Sequence, residues 1–279
     1  MISHKYSGAS SHAALRPRDI PVLFHNEYVI RVNQYRRLGI ALDSRSAMFS
    51  ILRNANRSRF TEHILLLLYS FSCAVQFACL LVRRRRKAPK QIFLFTDIRH
   101  TRLNAKGYPA FRAGLYNYRY LKIPHLYECL QKRRLITSLL WVMRNFRSVM
   151  RSFRNRACAL GADPKAYVTC VNAGFWRILD MKIFHAALSQ YALQEIAFAG
   201  HFDCYAALIG HLRKAGVPFR AVGYQHGLYE APSNGLRYES LHCDEYALLF
   251  KESEKFFQRN LNENSDCIIK IAPLGHQHT

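Results

Sequence analysis

From Gln91 to Gly275, short apolar runs alternate with segments of helical length, and this alternation constrains the fold more than any other feature. QIFLFTDIRH at 91–100 is an apolar run ending in polar residues, and AYVTCVNA at 166–173 is a second, β-branched one. A helical stretch follows from about Met181 to Tyr191. EIAFAGHFD at 195–203 reads as a strand, CYAALIGHLRKAG at 204–216 as a helix closed by Gly216, and VPFRAVGYQHG at 217–227 as the next strand. EYALLF at 245–250, a short helix KESEKFFQRNL and CIIKIAPLG at 267–275 repeat the theme, while Tyr116 to Cys129 is mixed. Strands and helices alternating at this length predict βαβ units and an α/β fold with a parallel sheet.

In such sheets ligands sit beyond the carboxyl ends of the strands. The polar residues that end the runs are therefore the site candidates by position. They are Asp97, Arg99 and His100; His201 and Asp203; and Gln225, His226 and Gly227.

Ahead of the alternating region lies a 19-residue uncharged run, Ile64 to Val82, followed directly by RRRRK at 83–87. As a helix it would rise ~28 Å, close to the bilayer hydrocarbon thickness. Three readings stand: a single span with its basic flank on the cytosolic side, a helix lying in the membrane interface, or a buried core helix weakened in apolarity by Gln76, serines and cysteines. A second basic element lies between Glu128 and Asp163, where no acid occurs. There Leu139, Val142, Met143, Phe146, Val149, Met150 and Phe153 recur at helical spacing, and Arg144, Arg147, Arg151 and Arg154 form a second stripe. That helix suits anionic lipid or a phosphorylated ligand, or is simply a core helix with a solvated charged face.

Charge follows the same division. Across 279 residues the formal net charge is +23, with 36 basic and 10 acidic residues before Glu230 but 5 and 8 from there on. Such a surplus implies a polyanionic neighbour. Half the chain is hydrophobic, so it can bury a core and is not a disordered basic tail. The eight cysteines are irregularly spaced with no C-x-x-C, which points to reduced thiols rather than zinc or a disulfide framework. The start, MISHKYSGASSHAALRPRD, has no apolar h-region, so no cleaved signal is expected. No P-loop, G-x-S-x-G, H-E-x-x-H or G-x-G-x-x-G pattern occurs, and His276 and His278 have no partner ligands.

The unit HFDCYAALIGHLRKAGVPFRAVGYQHGLYEAPSN (201–234) resembles part of a bacterial surface-polysaccharide glycosyltransferase of the two-domain GT-B type. Such enzymes show an acidic residue at a strand end, a helix, an "aGvP" turn and a strand closing in QHG. A "D-x-y-x-l-f" strand and a "V-x-x-x-G" strand follow; Asp244 to Phe250 and Ile269 to Gly275 fill those places. The likeness spans 90–275 in layout and 195–275 in motif detail. It implies a parallel Rossmann-like sheet, the first half of a GT-B fold, preceded by a helical, partly membrane-associated N-terminal region. The divisions are 1–60, basic and partly helical; 61–89, the hydrophobic helix with its basic flank; 90–275, the α/β domain; and a tail, 276–279. Only HQHT follows Gly275, where a donor domain would begin, so the resemblance implies an acceptor-side half. The expectation is a truncated or half-enzyme, inactive in transfer by itself, with a second chain supplying the donor domain.

Transfer from an activated donor needs a base for the acceptor hydroxyl and positive groups for the departing phosphate. The resemblance makes His226, Asp97 and Asp203 the catalytic candidates, with Gln225, Gly227, His201, Arg99 and His100 binding substrate. Helix capping is the competing role for Asp97 and Asp203, a hydrogen-bonded corner for Gln225 and His226, an ordinary half-buried histidine for His201, and a surface salt bridge for Arg99. No metal or cofactor is expected, since the nucleotide-sugar donor is a substrate. The expected partners are an anionic membrane surface or a lipid-linked acceptor, at the cytoplasmic face of the inner membrane, peripheral or single-pass. Two alternatives remain: a polyol-phosphate transferase of teichoic-acid-type synthesis, and a noncatalytic basic module binding membrane or RNA. NYRYLK (117–122) has aromatics among basic residues, but no RNA-binding motif accompanies it.

Overall fold

A computed structural model describes residues 14–37, 59–95, 104, 106–115, 123–199, 203–225, 243–248, 255 and 268–271. Six strands form one sheet: β1 (Gln91–Phe95), β2 (Ala110–Arg112), β3 (Glu195–Ala199), β4 (Arg220–Tyr224), β5 (Glu245–Leu248) and β6 (Ile268–Ile271). Their order is β2-β1-β3-β4-β5-β6, and every neighbouring pair is parallel. The protein is thus α/β with a Rossmann-like parallel sheet, as the alternation predicts, and the strands read at 195–203 and 217–227 are adjacent.

Period-two alternation divides each strand between two cores. Ile92 and Leu94, Ile196 and Phe198, Ala221, and Tyr246 and Leu248 face the large core shared with the helices. Phe93, Ala197, Val222, Tyr224 and Ala247 form a smaller cluster on the opposite face. Gly223 is held to its residue type by Tyr246, because a Cβ there would lie 2.7 Å from the Tyr246 ring and 3.2 Å from Cys243 Sγ.

The helices that fill the large core are α1 (Ile20–Leu23), α2 (His25–Arg37), α3 (Arg59–Val82), α4 (Lys132–Ala159), α5 (Pro164–Cys170), α6 (Phe175–Gln190) and α7 (Cys204–Lys214). In α4, Leu135, Val142, Val149, Phe153 and Ala157 make the buried seam, which packs on α5 and α6. Met143, read as part of that apolar face, instead points outward at 61% exposure. Helices α1 and α2 pack against α4, α5 and α7, so residues 20–37 share the core of the α/β region. Gly216, at φ +86°, closes α7 in the left-handed conformation that favours glycine, as its place in the pattern suggested.

Two local readings are corrected. The run at 166–173 is no strand: residues up to Cys170 belong to helix α5 and the rest to the turn after it. Asp163 caps the helix by accepting from the Ala166 N–H at 2.7 Å, with Pro164 in its first turn. Those two start signals outweigh the β-branched content that followed them. The spanning reading of 64–82 also finds no support, since no helix among the described residues is long and apolar enough to cross a membrane. Helix α3 is two-faced, with Cys73, Phe77 and Leu80 buried and the opposite side exposed.

Candidate functional site

Strand β1 has β2 on one side and β3 on the other, so the strand order reverses there. The crevice of an open α/β sheet lies outside the carboxyl ends at such a reversal. In sequence, Asp97, Arg99 and His100 follow the end of β1, and His201 follows the end of β3. These four, with His226 and Gly227, lie outside the described residues. Asp203 and Gln225 are described.

Asp203 is the N-cap of α7, its Oδ1 accepting from the Ala206 N–H at 2.9 Å. Although the residue is half-buried as a whole, its carboxyl is enclosed, and that burial pushes its pKa up to about 7. The nearby Glu27 carboxylate adds to the rise, while the cap bond and Arg177 oppose it. A carboxyl titrating there can take or give a proton at neutral pH, the property a general acid or base requires. Capping and proton exchange are separable by substitution. Because the folded state holds this proton more tightly than an ordinary carboxyl of pKa 3.8, the group's contribution to stability is fullest below that value. It is lost as pH rises to about 7 and is constant above. Asp203→Asn keeps the cap and is expected to flatten that part of the profile in urea unfolding measured across pH. Asp203→Ala should additionally cost ~1 kcal/mol at every pH. A profile unchanged by Asn would mean that the carboxyl is not protonated in this window.

Gln225, at the end of β4, is fully buried, and its backbone N–H donates to Ala247 O at 2.9 Å. His125, beside the end of β2, is likewise fully buried. Its Nδ1 accepts from the Tyr127 N–H at 3.2 Å, which leaves Nε2–H to donate to Gly114 O at 3.3 Å. Burial, together with the Arg112 charge, lowers its pKa to about 3. It is a neutral structural histidine rather than a proton carrier at pH 7.

Beneath this edge lies a buried polar network that was not singled out in the sequence. Asp180 of α6 accepts from the Tyr127 hydroxyl at 2.6 Å, from the Tyr205 hydroxyl and from the Leu115 N–H at 3.1 Å. Burial still raises its pKa. One turn earlier, Arg177 donates to Glu27 of α2 at 2.9 Å and to Cys204 Sγ at 3.1 Å, while Arg31 donates to the other Glu27 oxygen at 2.7 Å. Burial pushes Glu27 up, but the two guanidinium charges prevail and hold it below the usual carboxylate range. The network ties α2, α6 and the start of α7 to the segment after β2. The sequence signal is an opposite-charge pair three apart, Arg177 and Asp180, within the mostly apolar stretch FWRILDM at the start of the helix.

The amino edge differs. There Lys106 pairs with Glu195, Arg220 with Glu195 and Glu245, and Arg213 with Asp244. A shallow cavity among Gln194, Pro218, Phe219, Arg220, Asp244 and Glu245 opens at this edge, away from the strand ends that carry the candidates. No cluster of histidine, cysteine and acidic residues suited to a metal occurs among the described residues. The seven described cysteines form no disulfide with one another, and five of them are buried. Comparison with protein-family models, curated proteins and solved structures finds no match to the chain.

Proposed function

We propose that the protein is a glycosyltransferase-like component of bacterial cell-surface polysaccharide synthesis, of the GT-B type, working peripherally at the cytoplasmic face of the inner membrane. The observation that carries the reading is the β3–α7–β4 unit. Its two strands are parallel neighbours, an acidic residue caps the intervening helix, Gly216 makes the turn, and the second strand leads into Gln225. That is the layout around the QHG motif on which the resemblance rests. In this reading His226 is the base, Asp97 and Asp203 are the carboxyls, and Gly227, His201, Arg99 and His100 contact acceptor or donor, while Gln225, fully buried, holds the strand end that presents His226.

The test is deletion of the gene in the organism that carries it, followed by analysis of the surface polymer. The expected result is loss or shortening of a sugar polymer, restored by the wild-type gene. Loss of polyol phosphate from the polymer instead would replace the reading with polyol-phosphate transfer. An unaltered surface polymer would overturn both.

A further inference from the structure

Helix α3 carries an apolar face that nothing in the described structure covers. Leu67, Leu68, Phe71, Val75 and Val82 are 70%, 56%, 69%, 44% and 83% exposed, and they recur at steps of one to seven residues along one side. The other side is bound to the core through Cys73, Phe77 and Leu80, so the helix is fixed with its apolar stripe outward. Contiguous exposed apolar residues along one helix side, unlike single scattered ones, mark an interaction site.

The charge around the stripe identifies what covers it. Arg83 to Lys87 follow it directly and are all exposed. Arg83 and Arg86 share Glu128, at 2.5 and 2.7 Å, and Arg85 donates to Cys129 O. Arg84 and Lys87 make no ion pair with any described residue. The ammonium of Lys132 donates to the carbonyls of Leu80 and Arg83, which sets the start of α4 against the end of α3. Helix α4 then exposes Ile136, Leu140 and Met143, followed by Arg144, Arg147, Arg151 and Arg154, none paired with an acid among the described residues. No acidic residue occurs at 64–90 or at 129–162. A second copy of the chain would bring the same positive excess and no acidic patch from these segments to meet it. Anionic headgroups over acyl chains supply both the negative charge and the apolar phase.

We infer that the exposed face of α3, with the basic residues at its end and along α4, is the surface by which the protein lies on an anionic phospholipid bilayer. Leu67, Leu68 and Phe71 enter the acyl boundary, and Arg84 and Lys87 stand at headgroup level. The inference rests on the membrane location in the proposed function and not on its transfer chemistry.

Flotation of the full chain with phosphatidylcholine vesicles, with and without phosphatidylglycerol, tests it. Binding is expected to be ~10-fold or more stronger with phosphatidylglycerol and to weaken as salt rises. Leu67→Ser with Phe71→Ser should lower partition into the anionic vesicles ~10-fold or more. Circular dichroism should be unchanged, because both side chains face outward. Arg84→Gln with Lys87→Gln should reduce the dependence on phosphatidylglycerol while leaving the fold intact. Equal partition onto both vesicles, no flotation, or serine variants that float like the native chain would overturn the inference. So would a dimer in gel filtration that the serine variants dissolve, since the face would then belong to a second copy. An unaltered surface polymer in the deletion strain would remove the transferase reading while leaving the vesicle result standing.

Discussion

Membranes from cells carrying His226→Ala are expected to incorporate sugar from a nucleotide-sugar donor ~100-fold or more slowly than wild-type membranes. The base that deprotonates the acceptor hydroxyl contributes an effect of that size, and alanine removes both ring nitrogens. His226 follows Gln225, whose backbone is held by Ala247 at the carboxyl end of β4, the edge at which α/β sheets bind ligands. Incorporation of labelled donor into polymer, normalised to the amount of protein in the membrane, is the measurement. Thermal unfolding of the purified variant should match the wild type, which separates lost chemistry from lost fold. A variant of normal activity, or one that does not fold, would make His226 part of a structural corner and leave the QHG motif without chemistry.

How far the sequence reached depends on the range of the forces involved. Strands β3 and β4 and helix α7 were legible because their signals are local: short apolar runs, Asp203 before the helix and Gly216 after it. Strand β2 was not, because AFR is three residues long and owes its pairing to β1, whose Phe93 to Phe95 it matches in register. At 166–173 the β-branched content points to a strand, but the Asp163 cap and Pro164 in the first turn decide for a helix. The site was legible only as a set of strand ends. Which ends meet depends on strand order, and the reversal at β1 follows from long-range pairings that no short window contains. The two-sidedness of α3 was hidden for a related reason. A run that is apolar all round does not reveal which side the core will take, and packing of Cys73, Phe77 and Leu80 decides it.

The Glu27–Arg177 pair joins side chains 150 residues apart, and it bears the largest expected loss of stability. Glu27→Ala is expected to cost ~3–5 kcal/mol in urea or thermal unfolding. The reason is the charge left behind. Arg177 is 7% exposed and sits over the rings of Phe24 and Tyr205. Its contact with Cys204 Sγ and the field of Asp180 remain, but neither replaces a carboxylate at hydrogen-bond distance. Because the folded state holds Glu27 below its ordinary pKa, the pair stabilises at pH above the usual carboxylate range. The contribution is lost as pH falls through the lowered value, so the native protein and the Glu27→Ala variant should converge in acid. Arg31→Ala is the contrast: Arg31 is the more exposed partner, and its removal leaves Glu27 still paired with Arg177. That change should cost ~1 kcal/mol or less. Replacing both partners, Glu27→Leu with Arg177→Met, should recover most of the loss, since apolar residues carry no desolvation penalty in that space. Losses of ~1 kcal/mol for Glu27→Ala would show that water reaches the guanidinium, and α2 would then be held by packing on α5 and α7 rather than by charge.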